Sequence, residues 1–148
     1  MSFLSAFNTS VSGMTAQRQR VNTISENIAN AETTRTPQGG PYRRREVILA
    51  SVANDRTFEE ELVSQDRSVS TSTEVKVVGI VQDERPPILR FEPGHPDANE
   101  EGYVEMPNVN NMEEMVNLMS ANRSYEANTA AFNATKNMVQ SALDLGRN

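Results

Sequence analysis

The chain is 148 residues long, enough for one domain or for a small domain with long extensions. Only 36% of its residues are hydrophobic, so a single copy supports a thin core. A net charge of −6 and a pI near 4.8 argue against nucleic acid and anionic membrane as partners, and without cysteine there is no disulfide or thiolate chemistry.

Helix breakers divide the sequence into three parts. All seven prolines lie between Pro37 and Pro107, and outside that window only Gly13 and Gly146 interrupt the chain as glycines. The predicted organisation is an N-terminal helical arm over 1–34, a β-rich central module over 35–107 and a C-terminal helical arm over 108–148. The two arms together form one discontinuous helical domain. No stretch approaches the roughly 20 apolar residues that span a bilayer. The opening residues MSFLSAFNTSVSGM also lack the basic and continuous apolar regions of a secretory signal.

The first arm predicts a helix from about Phe3 to Ala29, roughly 40 Å long at 1.5 Å per residue. Phe7, Met14, Val21 and Ile28 recur every seven residues, and Leu4, Val11 and Ile24 widen the stripe. Arg18 and Ser25 also fall on the seam, so the repeat is imperfect.

The middle predicts short strands at Val47–Leu49, Val75–Val81, Ile88–Phe91 and Tyr103–Met106, each rich in β-branched or aromatic residues and bounded by turn signals. Pro86-Pro87 and Glu92-Pro93-Gly94-His95-Pro96 read as turns or connectors. The polar run over 53–73 reads as a mobile loop.

In the second arm, Asn110 followed by Glu113 has the spacing of a helix-capping pair just after Pro107. Leu118, Tyr125, Phe132 and Val139 then recur every seven residues. Each is followed three positions later by a short side chain, Ala121, Asn128, Thr135 or Ala142. Large residues alternating with small ones admit a second helix at close range. Met112, Met115, Val116 and Met119 form a further apolar strip. The helix from Asn110 to Leu145 spans about 54 Å.

The fold expected is therefore α+β, with the terminal helices paired as an antiparallel coiled coil beside a small β-rich module. One apolar seam is little to set against the backbone entropy of two such helices. They also overhang a module whose diameter is near 25 Å. The stripes are accordingly expected to serve assembly, along the seam Phe7, Met14, Val21, Ile28, Leu118, Tyr125, Phe132 and Val139.

The motifs that close these helices resemble a known family. Asn27-Ile28-Ala29-Asn30-Ala31-Glu32-Thr33-Thr34 resembles the signature ending the first helix of flagellar axial proteins, and Ser124-Tyr125-Glu126-Ala127-Asn128 resembles that of their C-terminal helix. The run from Arg35 to Arg44, RTPQGGPYRR, and Pro107-Asn108-Val109-Asn110 are similar to the proximal-rod branch. Many axial proteins continue the paired threonines with glycine and an aromatic residue, whereas here Arg35 follows Thr34. The resemblance covers about residues 1–50 and 75–148. It implies a structural rod subunit exported unfolded, and without cleavage, by the flagellar type III apparatus. It also implies partners among other rod proteins and copies of itself, in a rod that crosses the periplasm, transmits torque and conducts exported subunits. No cofactor, metal or catalytic residue is implied, nor nucleic acid or membrane insertion. Carried over residue by residue, the motif positions are Asn27, Ala29, Asn30, Ala31, Thr33, Pro107, Asn108, Tyr125, Glu126 and Asn128.

Several of these positions have physical roles of their own. Asn27 and Asn30 are expected to end the first helix, since asparagine tolerates a left-handed C-cap and its amide bonds nearby backbone. Tyr125 is expected to pack on another helix, with Glu126 and Asn128 as hydrogen-bonding neighbours. Arg123 and Lys136 read as rim charges. Arg43-Arg44-Arg45, the one basic run, reads either as solvated charge protecting a strand edge or as a contact for an acidic patch such as Glu59-Glu60-Glu61 of a neighbour.

Three rivals differ in kind. An enzyme would have to rest on His95, the only histidine, with Asp97 nearby, and no nucleophile, phosphate-loop or metal-ligand pattern accompanies it. A self-contained helical adaptor would fold fully alone. A distal-rod or hook-type axial protein would share the terminal signatures.

Overall fold

The computed structural model describes residues 3–53 and 73–146. Helix α1 runs over Phe3–Ala29, followed by strands β1 (Arg45–Ala53), β2 (Thr73–Gln82), β3 (Ile88–Phe91) and β4 (Tyr103–Met106), and then helix α2 (Asn111–Leu145). The architecture is α+β. The interior of 53–73 falls outside the described residues, as does Glu59-Glu60-Glu61, and its two ends belong to β1 and β2.

The strands form two separate antiparallel pairs. In the first, Arg45 is opposite Gln82 and Ala53 opposite Thr73, with a bulge between Ile48 and Leu49. In the second, Ile88 is opposite Met106 and Phe91 opposite Tyr103, whose rings meet edge to face with centroids 5.2 Å apart. The predicted strands are all present, the first extending to both sides of Val47–Leu49.

Helix α1 packs against α2 and also against β1 and β2. Its hydroxyls close part of the open edge of β2. Thr9 Oγ1 donates to the Thr73 carbonyl at 3.1 Å, and the Val75 N–H donates to Ser12 Oγ at 3.2 Å. A strand edge left unpaired invites association, so these side chains do for β2 what a third strand would.

Helix α2 starts where its sequence says it should. The Asn110 side chain accepts from the N–H groups of Met112 (3.1 Å) and Glu113 (3.4 Å), and Glu113 and Glu114 place acid in the first turn. At 35 residues, the helix is about 52 Å long.

Candidate assembly site

The end of α1 is tied to the rest of the chain by a sharp reversal. Gly39 and Gly40 both take positive φ (90° and 71°), a conformation that favours glycine, and Thr36 bonds across them to Gly40. The reversal brings Tyr42 back beside Thr33, where its N–H donates to the Thr33 carbonyl at 3.0 Å. Tyr42 thereby reaches Asn27, in the last turn of α1.

Asn27 has no exposed surface, and its amide makes four hydrogen bonds. Nδ2 donates to the Arg45 carbonyl (2.8 Å) and to Glu114 Oε2 (3.0 Å). Oδ1 accepts from the Tyr42 hydroxyl (2.9 Å) and from the Arg45 N–H (2.9 Å). The amide therefore occupies both outward backbone groups of Arg45 as a neighbouring strand would. Every polar position that an asparagine side chain offers is filled.

Glu114, in the first turn of α2, is 1% exposed. Its second oxygen accepts from Arg44 Nε at 2.8 Å, and Arg44 also reaches Glu46 at 3.3 Å. Burial opposes the Arg44 charge, but its hydrogen bonds and attraction to Glu114 and Glu46 together raise its pKa above the ordinary value. Burial also raises the Tyr42 phenol above 10.0. The Arg45 guanidinium, 5.9 Å from the ring centroid, opposes that rise, while Glu26 and Glu114 add to it. The Asp83 N–H donates to the Arg44 carbonyl at 2.8 Å, so the end of β2 joins the same cluster. Hydrogen bonds from Arg85 lower the Asp83 carboxyl to about 2. Removing one partner of a buried ion pair costs about 3–5 kcal/mol because it strands the other charge, so Arg44 and Glu114 each require the other where the connector meets α2.

Two expectations from sequence are corrected here. Asn27 and Asn30 are not left-handed caps, since no described residue other than glycine has positive φ. Asn27 lies inside the helix and points into the cluster. Asn30 bonds back to the Glu26 carbonyl through both its N–H and its Nδ2 (3.0 and 2.9 Å), and its Oδ1 accepts from Thr33. Nor is the arginine run uniformly solvated. Arg43 is exposed, Arg45 is half-buried and pairs with Glu26 at 3.5 Å, and Arg44 is mostly enclosed by its bonds to Glu114 and Glu46. Glu114 itself gave no signal in the sequence, because nothing local shows that its partner lies 70 positions away.

Along the helix pair, Phe7 and Phe132 meet edge to face with centroids 5.0 Å apart, and Thr129 Oγ1 donates to Met14 Sδ at 3.3 Å. Phe7, Met14, Val21, Ile28, Leu118, Phe132 and Val139 are half-buried, and Tyr125 is 40% exposed. Besides Asn27 and Glu114, the buried positions are mostly short side chains, Ser10, Ala16 and Thr23 on α1 and Ala121 and Thr135 on α2, together with Ile24 of the predicted stripe. Asn128 lies against Gly13 and bonds the Ser124 carbonyl, while Glu126 is exposed. Among the other motif positions, Pro107 is buried, Ala31, Thr33 and Asn108 are half-buried, and Ala29 is exposed.

Met112, Met115, Val116 and Met119 are 49–72% exposed. At 100° per residue they centre about 160° around α2 from Glu114, Asn117, Leu118 and Ala121, so they face away from α1.

No group of three or more potential metal ligands occurs among the described residues, and none of their helices is long and apolar enough to cross a membrane. The groove beside the cluster is lined mostly by charged and polar side chains, including Arg20, Thr23, Arg44, Glu113 and Asn117, unlike the apolar lining of cofactor pockets. His95 Nδ1 accepts from the Asp97 N–H, and Asp97 spends its carboxylate on Thr34 (2.8 Å) and Arg35 (3.0 Å). That pair fastens the connector after α1 to the loop before β4.

Comparison with known proteins agrees with this layout. Residues 7–35 match the family model described as flagella basal body rod protein, and residues 100–145 match that described as flagellar basal body rod FlgEFG protein C-terminal. Both matched segments fall on the paired helices and their flanks. The flagellar basal-body rod protein FlgC of Borreliella burgdorferi is 43% identical over 97% of each chain. That of Bacillus subtilis is 44% identical over 99% of this chain and all of its own, and that of Escherichia coli O6:H1 is 39% identical with the same coverage. The chain belongs to the FlgC family of flagellar basal-body rod proteins.

Proposed function

We propose that this chain is a structural subunit of the flagellar basal-body rod, that it has no catalytic role, and that it assembles with other rod proteins through its terminal helices. Family membership supports the role. The observation that carries the mechanism is the apolar strip of Met112, Met115, Val116 and Met119, turned to solvent on the face of α2 away from α1. Large exposed apolar strips mark association surfaces.

In this reading α1 and α2 pair as an antiparallel coiled coil. Support comes from the order of their contacts: Phe7 meets Phe132, Met14 meets Thr129 and Asn27 meets Glu114. Tyr125 and the methionine strip then meet neighbouring subunits, including copies of the same chain, in a tube that carries torque and lets exported subunits pass. The subunit reaches the periplasmic rod unfolded through the type III export apparatus, without cleavage and without entering the membrane.

Amide hydrogen exchange on dilute protein, read residue by residue, tests the mechanism. Protection should be greatest around Thr23–Asn27 and Glu114–Ala121, beside the buried cluster. It should fade towards Leu4 and beyond Val139, where α2 is exposed on all sides. Uniformly strong protection along both helices of the monomer would mean a self-contained module and would overturn the neighbour-completed reading.

A further inference from the structure

The heptads alone leave the helix pair under-specified. Leu118, Tyr125, Phe132 and Val139 are spaced by seven, and so are the short Ala121, Asn128, Thr135 and Ala142. Along the interior of the pair, sliding α2 by one heptad puts a large residue where a large one stood and a small one where a small one stood, whereas at the ends Asn111 would replace Leu118 and Glu114 Ala121, or Gly146 would replace Val139. Phe7 would then meet Tyr125 or Val139 in place of Phe132, and Gly13 would meet Ala121 or Thr135 in place of Asn128. Neither exchange is prohibitive.

The cluster at the other end has no such substitute. Seven residues from Glu114 stand Ala121 on one side and Pro107 on the other, and neither side chain accepts a hydrogen bond. After either slip, Asn27 Nδ2 would keep only the Arg45 carbonyl, and the Arg44 guanidinium would lose its buried carboxylate. Unsatisfied buried polar groups are costly, and a single buried polar contact can fix the register of a helix pair.

We propose that the Asn27–Glu114–Arg44 contact is the register key of the helix pair, selecting one alignment of α1 on α2 from those the heptads permit. A subunit in a rod must present its outer faces at fixed heights, so a slip would displace the methionine strip by about 10 Å. The inference rests on the proposed pairing of the two helices.

The chain has no cysteine, so Asn22→Cys and Asn133→Cys, both at exposed positions, introduce a clean pair of sites for spin labels. Distances in the full-length protein are read by double electron–electron resonance, with helix content followed by circular dichroism. With the cluster intact, one narrow distance is expected. In the Arg44→Met/Glu114→Leu background, which replaces the ion pair with apolar side chains, a second distance should appear, shifted by about 10 Å. Glu114→Gln keeps one acceptor oxygen but turns the other into an N–H donor facing Arg44 or Asn27, so the second distance should appear there too. One unchanged distance in a helical Arg44→Met/Glu114→Leu protein would overturn the proposal. So would loss of helix with no second distance, because the cluster would then be a general stabiliser. A broad distribution already present with the cluster intact would refute the pairing itself.

Discussion

Gly13 of α1 lies directly against the side chain of Asn128 on α2: a methyl group placed on Gly13 would sit 2.9 Å from Oδ1, 3.0 Å from Nδ2 and 3.1 Å from Cγ. Asn128 is not free to swing clear without loss, because its Nδ2 donates to the Ser124 carbonyl at 2.9 Å. A glycine inside a 27-residue helix costs about 1 kcal/mol of helix propensity relative to alanine, and here the space it leaves is filled by the partner helix.

Gly13→Ala therefore sets two effects against each other. Overpacking costs about 1–3 kcal/mol, and the propensity gain returns about 1 kcal/mol. The expected result is a lower Tm for the single variant. Gly13→Ala/Asn128→Ala, which removes the obstruction, should melt above Gly13→Ala. A double variant no more stable than the single one would place the strain elsewhere.

Asn27 and Asn30 are three positions apart and carry the same side chain, yet their expected costs differ. Asn27→Ala leaves the Arg45 N–H and carbonyl, the Tyr42 hydroxyl and one Glu114 oxygen each short of a partner. At about 1–3 kcal/mol for each group left buried and unsatisfied, a loss of at least about 3 kcal/mol is expected. Asn30→Ala gives up bonds that are partly exposed to water, and about 1 kcal/mol or less is expected. Denaturant unfolding of both variants checks the ranking, and equal costs would contradict the cluster's importance.

The sequence made some of this legible and hid the rest for definite reasons. The bounds of α1, the Asn110 cap and the four strands follow from local chemistry: periodicity, a side-chain acceptor before the first turn, β-branched runs between breakers. The seven-residue spacing found residues that contact across the helix pair, such as Phe7 and Phe132. It did not show that Ser10, Ala16 and Thr23 lie deeper than they do, because a tight helix contact favours small side chains whatever their polarity. The cluster was invisible for another reason. Asn27 reads as a helix end, Arg44 as part of a basic run and Glu114 as a first-turn acid, and only the reversal at Gly39–Gly40 brings their elements together.

Tyr42 should report the integrity of this cluster through pH. Its phenol titrates above 10.0 in the folded chain, mainly because of burial. Its contribution to stability is therefore complete below pH 10 and is lost as pH rises through the folded-state value. In an ultraviolet titration a late component should ionise above pH 10, and Tyr42→Phe should abolish it. A late component surviving in Tyr42→Phe would assign the burial to another tyrosine.

The methionine strip separates assembly from folding. Met115 and Met119 are about half exposed, so Met115→Lys/Met119→Lys removes little that the isolated chain uses, and its stability should stay within about 0.5 kcal/mol of the parent for each change. In a rod contact the same change forfeits about 1.5–3 kcal/mol of burial per methionine and forces two ammonium groups into an apolar contact. Swimming of a strain carrying only this variant should be lost, whereas Asn122→Lys/Asn137→Lys, which adds the same charge at exposed polar positions of α2, should leave swimming intact. If the methionine variant swims as well as the parent, the strip faces solvent in the rod too, and the contacts between subunits must run through Tyr125 and the far end of α2.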